Sequence, residues 1–292
     1  MRTSQLEKAK NQISQFFEAN SKRAYTEKAL EIILSSNRDN WKIPGGKKVT
    51  DFADFLVKSL LMEKSIILKN DSANPITIFT WKSKDDLTIL NGLRNGSYFS
   101  HYTAMSLHSL TEQIPKSIYL NHEHSKPISE SKPSLLSQNS IDQAFSKEQR
   151  KSDDIYSFNN RKIFLLNGKY TKRLGVINRI QQDQSYSFTD LHRTLIDIAI
   201  RPSYSGGVFE VLQAYENAKN SVDPYLIKKY LDKLNYIYPY HQVIGFYLEK
   251  AGYDNKILKI FNEKINYKFY LTYNIRNPQL DERWNLYFPK GM

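Results

Sequence analysis

The run from Phe188 to Leu212, FTDLHRTLIDIAIRPSYSGGVFEVL, constrains the fold most, because it holds a helix start, a charged ladder, a helix stop and a second helix start. At ~100° of rotation per residue, Leu191, Leu195, Ile198 and Ala199 share an apolar face that Ile196 and Ile200 widen. Asp190, Arg193, Thr194, Asp197 and Arg201 gather on the opposite side. Arg193 stands four residues before Asp197 and Asp197 four before Arg201, so the spacing predicts a ladder of alternating charge. If exposed, each link contributes only ~0.2–0.5 kcal/mol. The ladder therefore reads either as an ion network that orients one helix against neighbouring strands, or as a charged edge open to a partner or a phosphate-bearing ligand. Pro202 and Gly206-Gly207 read as a helix stop followed by a tight re-entry at positive φ, with a phosphate cradle on the next helix as a second use. Use of Asp190 or Asp197 as a general base needs a pocket and a shifted pKa, so no catalytic residue is assigned.

At 292 residues the chain has length for about two domains of ~150 residues each. Its 40% apolar and 25% charged residues are those of a globular protein. No aliphatic run approaches the ~20 residues that cross a bilayer, and MRTSQLEKAK is too polar for a signal peptide, so a cytoplasmic protein without membrane contact is expected. The absence of cysteine excludes disulfides, thiolate zinc sites and thiol nucleophiles. A net charge of +12 fits a polyanionic partner, provided that the charge collects on one element.

Three helices are predicted before residue 61: one over 4–19 around Leu6, Ile13, Phe16 and Phe17, a second capped by Thr26, and a third capped by Thr50 with Phe52, Phe55, Leu56, Leu60 and Leu61 inward. Two β-rich runs follow, Ser65–Leu68 and Ile76–Trp81, around a turn-rich link. Three helices and a hairpin are the order of a winged helix. Lys47, Lys48, Lys58 and Lys64 would line the third helix, and Lys69, Lys82 and Lys84 the wing, as contacts to double-stranded DNA. Residues 1–84 carry 15 Lys plus Arg against 9 Asp plus Glu, a surplus of 6. Asp51 and Asp54 in the third helix's first turn suit its dipole but oppose phosphates, so a winged helix that only mediates protein contacts is the alternative reading.

Residues 83–97 read as a connector before SYFSHYTAMSLHSLTEQIP, where Ser100 starts a helix from His101 to about Leu110. His101 and His108 are ~10 Å apart along that axis, too far for one ion held at ~2.0–2.1 Å from each nitrogen. His122-Glu123-His124 lacks a third ligand, so no metal is expected. A Ser- and Lys-rich excursion at about 121–154 reads as exposed and partly disordered, with a short helix near Ile141–Lys147. Strands follow at Ile155–Phe158, Ile163–Leu166 and Leu174–Ile180, turning at Asn167-Gly168. Helices are then predicted over 208–220, from Asp223-Pro224 to Leu234, and over 240–251 and 255–265, before β-like runs at Tyr267–Ile275 and Trp284–Phe288. The fold class expected is α+β: a winged-helix domain over 1–84, then a larger mixed domain over 85–292 with a helical C-terminal part.

The segments SHYTAMSLHSLTEQIPKSIYL (100–120) and RLGVI…FTDLHRTLIDIAIRPSYSGGVFEVLQAY (173–215) resemble the AbiEi family of antitoxins from type IV toxin–antitoxin (abortive infection) systems. The resemblance covers most of 98–250 in order and spacing; over 1–85 only the element pattern matches. The family motif falls on Asp190, Arg193, Thr194, Leu195, Ile196, Asp197, Arg201, Pro202, Gly206 and Gly207, and an earlier block on His101, Ala104, Leu107 and His108. What the resemblance implies is a phage-defence antitoxin, without cofactor, that neutralises a nucleotidyltransferase-like toxin. It further implies a transcriptional repressor whose winged helix binds inverted repeats in its own promoter, with paired protomers on DNA. The alternative is an enzyme that modifies the toxin or a nucleic acid through the Asp/Arg constellation.

Overall fold

A computed structural model describes residues 4–125, 136–262 and 264–292. Residues 126–135 of the Ser-rich excursion lie outside the described residues. The fold is mixed α+β, and the chain divides into two compact units. Unit 1 comprises residues 1–98, 154–163 and 178–188; unit 2 comprises 99–153, 164–177 and 189–292. A single cut after residue 84 differs from this division, because two later segments belong with the N-terminal part.

Unit 1 begins with α1 (Gln5–Lys8) and α2 (Lys10–Ala19), where one helix over 4–19 was expected. A strand absent from the sequence reading, β1 (Ala24–Thr26), precedes α3 (Glu27–Asn37), whose N-cap Thr26 accepts from the Ala29 amide at 3.2 Å. α4 (Val49–Leu60) starts earlier than its expected Thr50 cap: Lys48 is the N-cap, and the Asp51 carboxylate accepts from the Lys48 amide at 3.2 Å. The acidic start of α4 is thus a capping device. β2 (Glu63–Lys69) and β3 (Ile76–Thr80) form an antiparallel hairpin, and β1 lies antiparallel on β3 with Ala24 opposite Thr80. The apolar faces of α2, α3 and α4 meet over Ile13, Phe17, Leu30, Leu34, Phe52 and Leu56, closed by Trp41 and Trp81. Phe17 stacks on Trp81 with ring centres 5.4 Å apart. The expected connector 83–97 contains α5 (Asp86–Asn91), capped by Asp85.

β4 (Tyr98–Phe99) leads to α6 (His101–Leu107), β5 (Ser117–Glu123) and α7 (Gln138–Phe145). β6 (Ile155–Phe158) pairs antiparallel with β2, Leu68 opposite Ser157 and Lys69 opposite Tyr156. β7 (Arg161–Gly168) runs through Asn167 and Gly168, which therefore end a strand instead of turning between two. β8 (Val176–Gln181) and β9 (Gln184–Thr189) follow, the latter unforeseen although Tyr186 and Phe188 alternate with serines.

The core of unit 2 is helical: α8 (Leu191–Ile200), a short 3₁₀ turn Pro202–Tyr204, α9 (Val208–Ala218), α10 (Pro224–Leu234), α11 (Tyr240–Lys250) and α12 (Asn255–Phe261). Only Phe269–Tyr270 of the expected run 267–275 is a strand, β10, and it pairs parallel with β12 (Leu286–Pro289), on which β11 (Pro278–Asp281) lies antiparallel. Among the described residues no helix is long and apolar enough to cross a membrane.

Candidate functional site: an arginine and tyrosine cavity in unit 2

α8 is buried from Arg193 to Ala199 on both faces, so its charged side is not an open edge. Asp190 caps the helix, accepting from the Arg193 amide at 2.8 Å and from the Tyr230 hydroxyl at 2.9 Å. Thr194 is fully buried, and its hydroxyl lies 2.8 Å from that of Thr189. Arg193 and Asp197, 5% and 7% exposed, form the first link of the ladder, with Nε donating to Oδ1 at 2.8 Å. Arg193 also donates to the Leu174 carbonyl at 2.9 Å, which ties α8 to the segment before β8. Burial pushes the Asp197 carboxyl up against the opposing pull of Arg193.

The second link does not form, and the next residue explains why. A proline disfavours the helical region for the residue before it. Arg201, preceding Pro202, leaves the helix at φ −132° and ψ 70°. Its guanidinium donates to the Arg150 carbonyl at 3.2 Å and lies 5.5 Å from the Tyr204 ring centre. Among the described residues it has no carboxylate partner. Gly206 and Gly207 take positive φ, 82° and 98°, and Gly207 is the N-cap of α9, as the re-entry requires.

Arg201 opens onto a cavity of about 620 Å³ within unit 2. Its lining includes Arg150, Lys151, Lys169, Arg193 and Arg201, with Asp197 as the sole carboxylate among the described residues, and Tyr204, Tyr236, Tyr238, Tyr240 and Tyr273. His101, 8% exposed, joins this lining from the start of α6, where it holds the positive φ of 51° that an L side chain rarely adopts. Its Nδ1 lies 2.9 Å from Ser100 Oγ. Burial, reinforced by Arg201 and Arg193, lowers the His101 pKa to about 3, so this imidazole is neutral. His108 is not at the cavity; its Nε2 donates to the Thr189 carbonyl at 2.8 Å and fixes α6 to the entry of α8. The two histidines thus have separate duties. Glu123 accepts from the amides of Thr171 and Arg173, and among the described residues no group of His, Asp and Glu could hold a metal.

The tyrosines were missed in the sequence. The dense run Tyr236-Ile237-Tyr238-Pro239-Tyr240 was their signal, but aromatic spacing alone does not separate a core from a cavity wall.

In unit 1, five of the seven lysines expected at DNA pair with carboxylates: Lys47 with Asp51, Lys58 with Asp54, Lys69 with Asp154, Lys82 with Glu18 and Lys84 with Glu63. Lys69 also lies over the Tyr156 ring, because β6 adds to the end of β2. Lys48 and Lys64 are exposed without a carboxylate partner among the described residues.

No family model and no curated protein matches the chain. Among solved structures it is similar to the RV2827C protein from Mycobacterium tuberculosis, at 8% identity and a TM-score of 0.50, covering 96% of this chain and 91% of that one. At that identity the likeness concerns the fold alone.

Proposed function

We propose that the chain is an AbiEi-type antitoxin that also represses its own operon, with residues 1–84 acting as a winged helix and the remainder as the antitoxin module. The observation that carries the DNA-binding half is the order α2, β1, α3, α4, β2, β3, with an antiparallel β1–β3–β2 sheet beside three helices that share one core. This is the arrangement in which a third helix and a hairpin face a duplex. The exposed side of α4 carries Thr50, Asp51, Asp54 and Lys58, so base reading by that side alone is opposed by its own carboxylates. Phosphate contacts are therefore assigned first to Lys48 and Lys64. The paired lysines join them by exchanging weak, exposed ion pairs for phosphates. The antitoxin half rests on the family resemblance of residues 98–250. It implies a nucleotidyltransferase-like toxin as partner and a pair of protomers on each inverted repeat.

A gel shift with the protein's own upstream DNA tests the repressor half. Binding should weaken steeply as salt rises, and a Lys48→Ala/Lys64→Ala variant should lower the logarithmic salt slope by about 2, roughly 0.9 per lost phosphate contact. Absence of binding at every salt concentration overturns it. Co-expression with the neighbouring toxin candidate tests the other half: growth that the full-length chain does not restore overturns the antitoxin reading.

A further inference from the structure

Among the described residues, the cavity of unit 2 gathers five cationic side chains, Arg150, Lys151, Lys169, Arg193 and Arg201, against one carboxylate. Arg201 carries five N–H donors and, among the described residues, has one protein acceptor, the Arg150 carbonyl. The hydroxyls of Tyr236, Tyr238 and Tyr273 make no hydrogen bond among the described residues. Burial, the largest influence on both, raises the pKa of Tyr236 and Tyr273 and so keeps these hydroxyls protonated. Asp197, the one carboxylate of the lining, is already held by Arg193. Arg150 and Lys151 are exposed and add positive charge.

Such a surplus selects a ligand rich in anionic oxygen. Guanidinium forks match phosphate geometry, and tyrosine rings offer flat apolar faces to an aromatic ring. The volume of about 620 Å³ suits a small organic molecule and far exceeds a lone inorganic ion. We propose that this cavity binds a nucleoside phosphate, its phosphates on Arg201 and its base against the tyrosine walls. The site is independent of the lysines assigned to DNA and does not rest on the repressor reading.

Calorimetric titration of the full-length protein with ADP, GDP and pyrophosphate tests this. One nucleoside diphosphate should bind at one site per chain, at least tenfold tighter than pyrophosphate. Arg201→Gln should weaken that binding at least tenfold, with Arg201→Lys in between. Thermal melts check that the variants fold. Should Arg201→Gln not fold, Tyr273→Phe keeps the ring, removes one donor and should weaken binding several-fold. No heat with either nucleotide at millimolar concentration overturns the proposal. So does pyrophosphate binding as tightly as the nucleotides, or an affinity indifferent to both Arg201→Gln and Tyr273→Phe.

Discussion

Arg193 and Arg201 belong to one sequence ladder yet have opposite situations. Arg193 shares a buried pair with Asp197, where removing one partner strands the other charge. Arg193→Ala should cost about 3–5 kcal/mol, read as the shift in denaturation midpoint, whereas Arg193→Met with Asp197→Leu should restore most of it. A double variant as unstable as the single one would contradict this role. His101 contributes to the pH dependence of the site. Its folded pKa of about 3 lies below the ordinary 6.5, so between these values the unfolded chain binds the extra proton. Stability is therefore lost as pH falls from about 6.5 towards 3, at up to about 1.4 kcal/mol per pH unit. Asp197, whose pKa is raised, acts in the reverse sense above its ordinary 3.8. The difference between wild type and His101→Asn isolates the histidine: the variant's stability should fall less steeply from pH 6.5 to 4.5, and an unchanged slope would refute a buried neutral imidazole.

At the scale of elements, α11 is the pivot of unit 2, buried almost throughout and pressed against Trp284. A Cβ on Gly245 would lie 2.1 Å from the Trp284 ring, a distance no side-chain adjustment of a wholly buried indole relieves. Gly245→Ala should therefore cost at least about 1–3 kcal/mol by overpacking, despite alanine's better helix propensity; a variant as stable as wild type would disprove the contact. The same glycine shows why element boundaries were easier to read than packing. Helix starts at Thr26 and Asp223-Pro224 were legible, because capping is a local interaction between neighbouring residues. Strands β1 and β11 were not, since short strands owe their existence to a partner far along the chain.

Across the whole molecule, the α+β class and the positive φ at Gly206-Gly207 were legible in the amino-acid order. The Arg201-Pro202 step was present as well, and its consequence for the ladder follows from steric clash within two residues. What the tertiary structure alone decided is which charges are spent. Lys69 meets Asp154 across a strand pairing, and Arg193 meets both Asp197 and the Leu174 carbonyl. Among the described residues, Arg201 stands with one acceptor in a lining that holds five tyrosines drawn from 204 to 273. Local sequence determines backbone conformation because its forces act over a few residues. Whether a charge is paired, buried or left facing a cavity depends on groups that only long-range packing brings together.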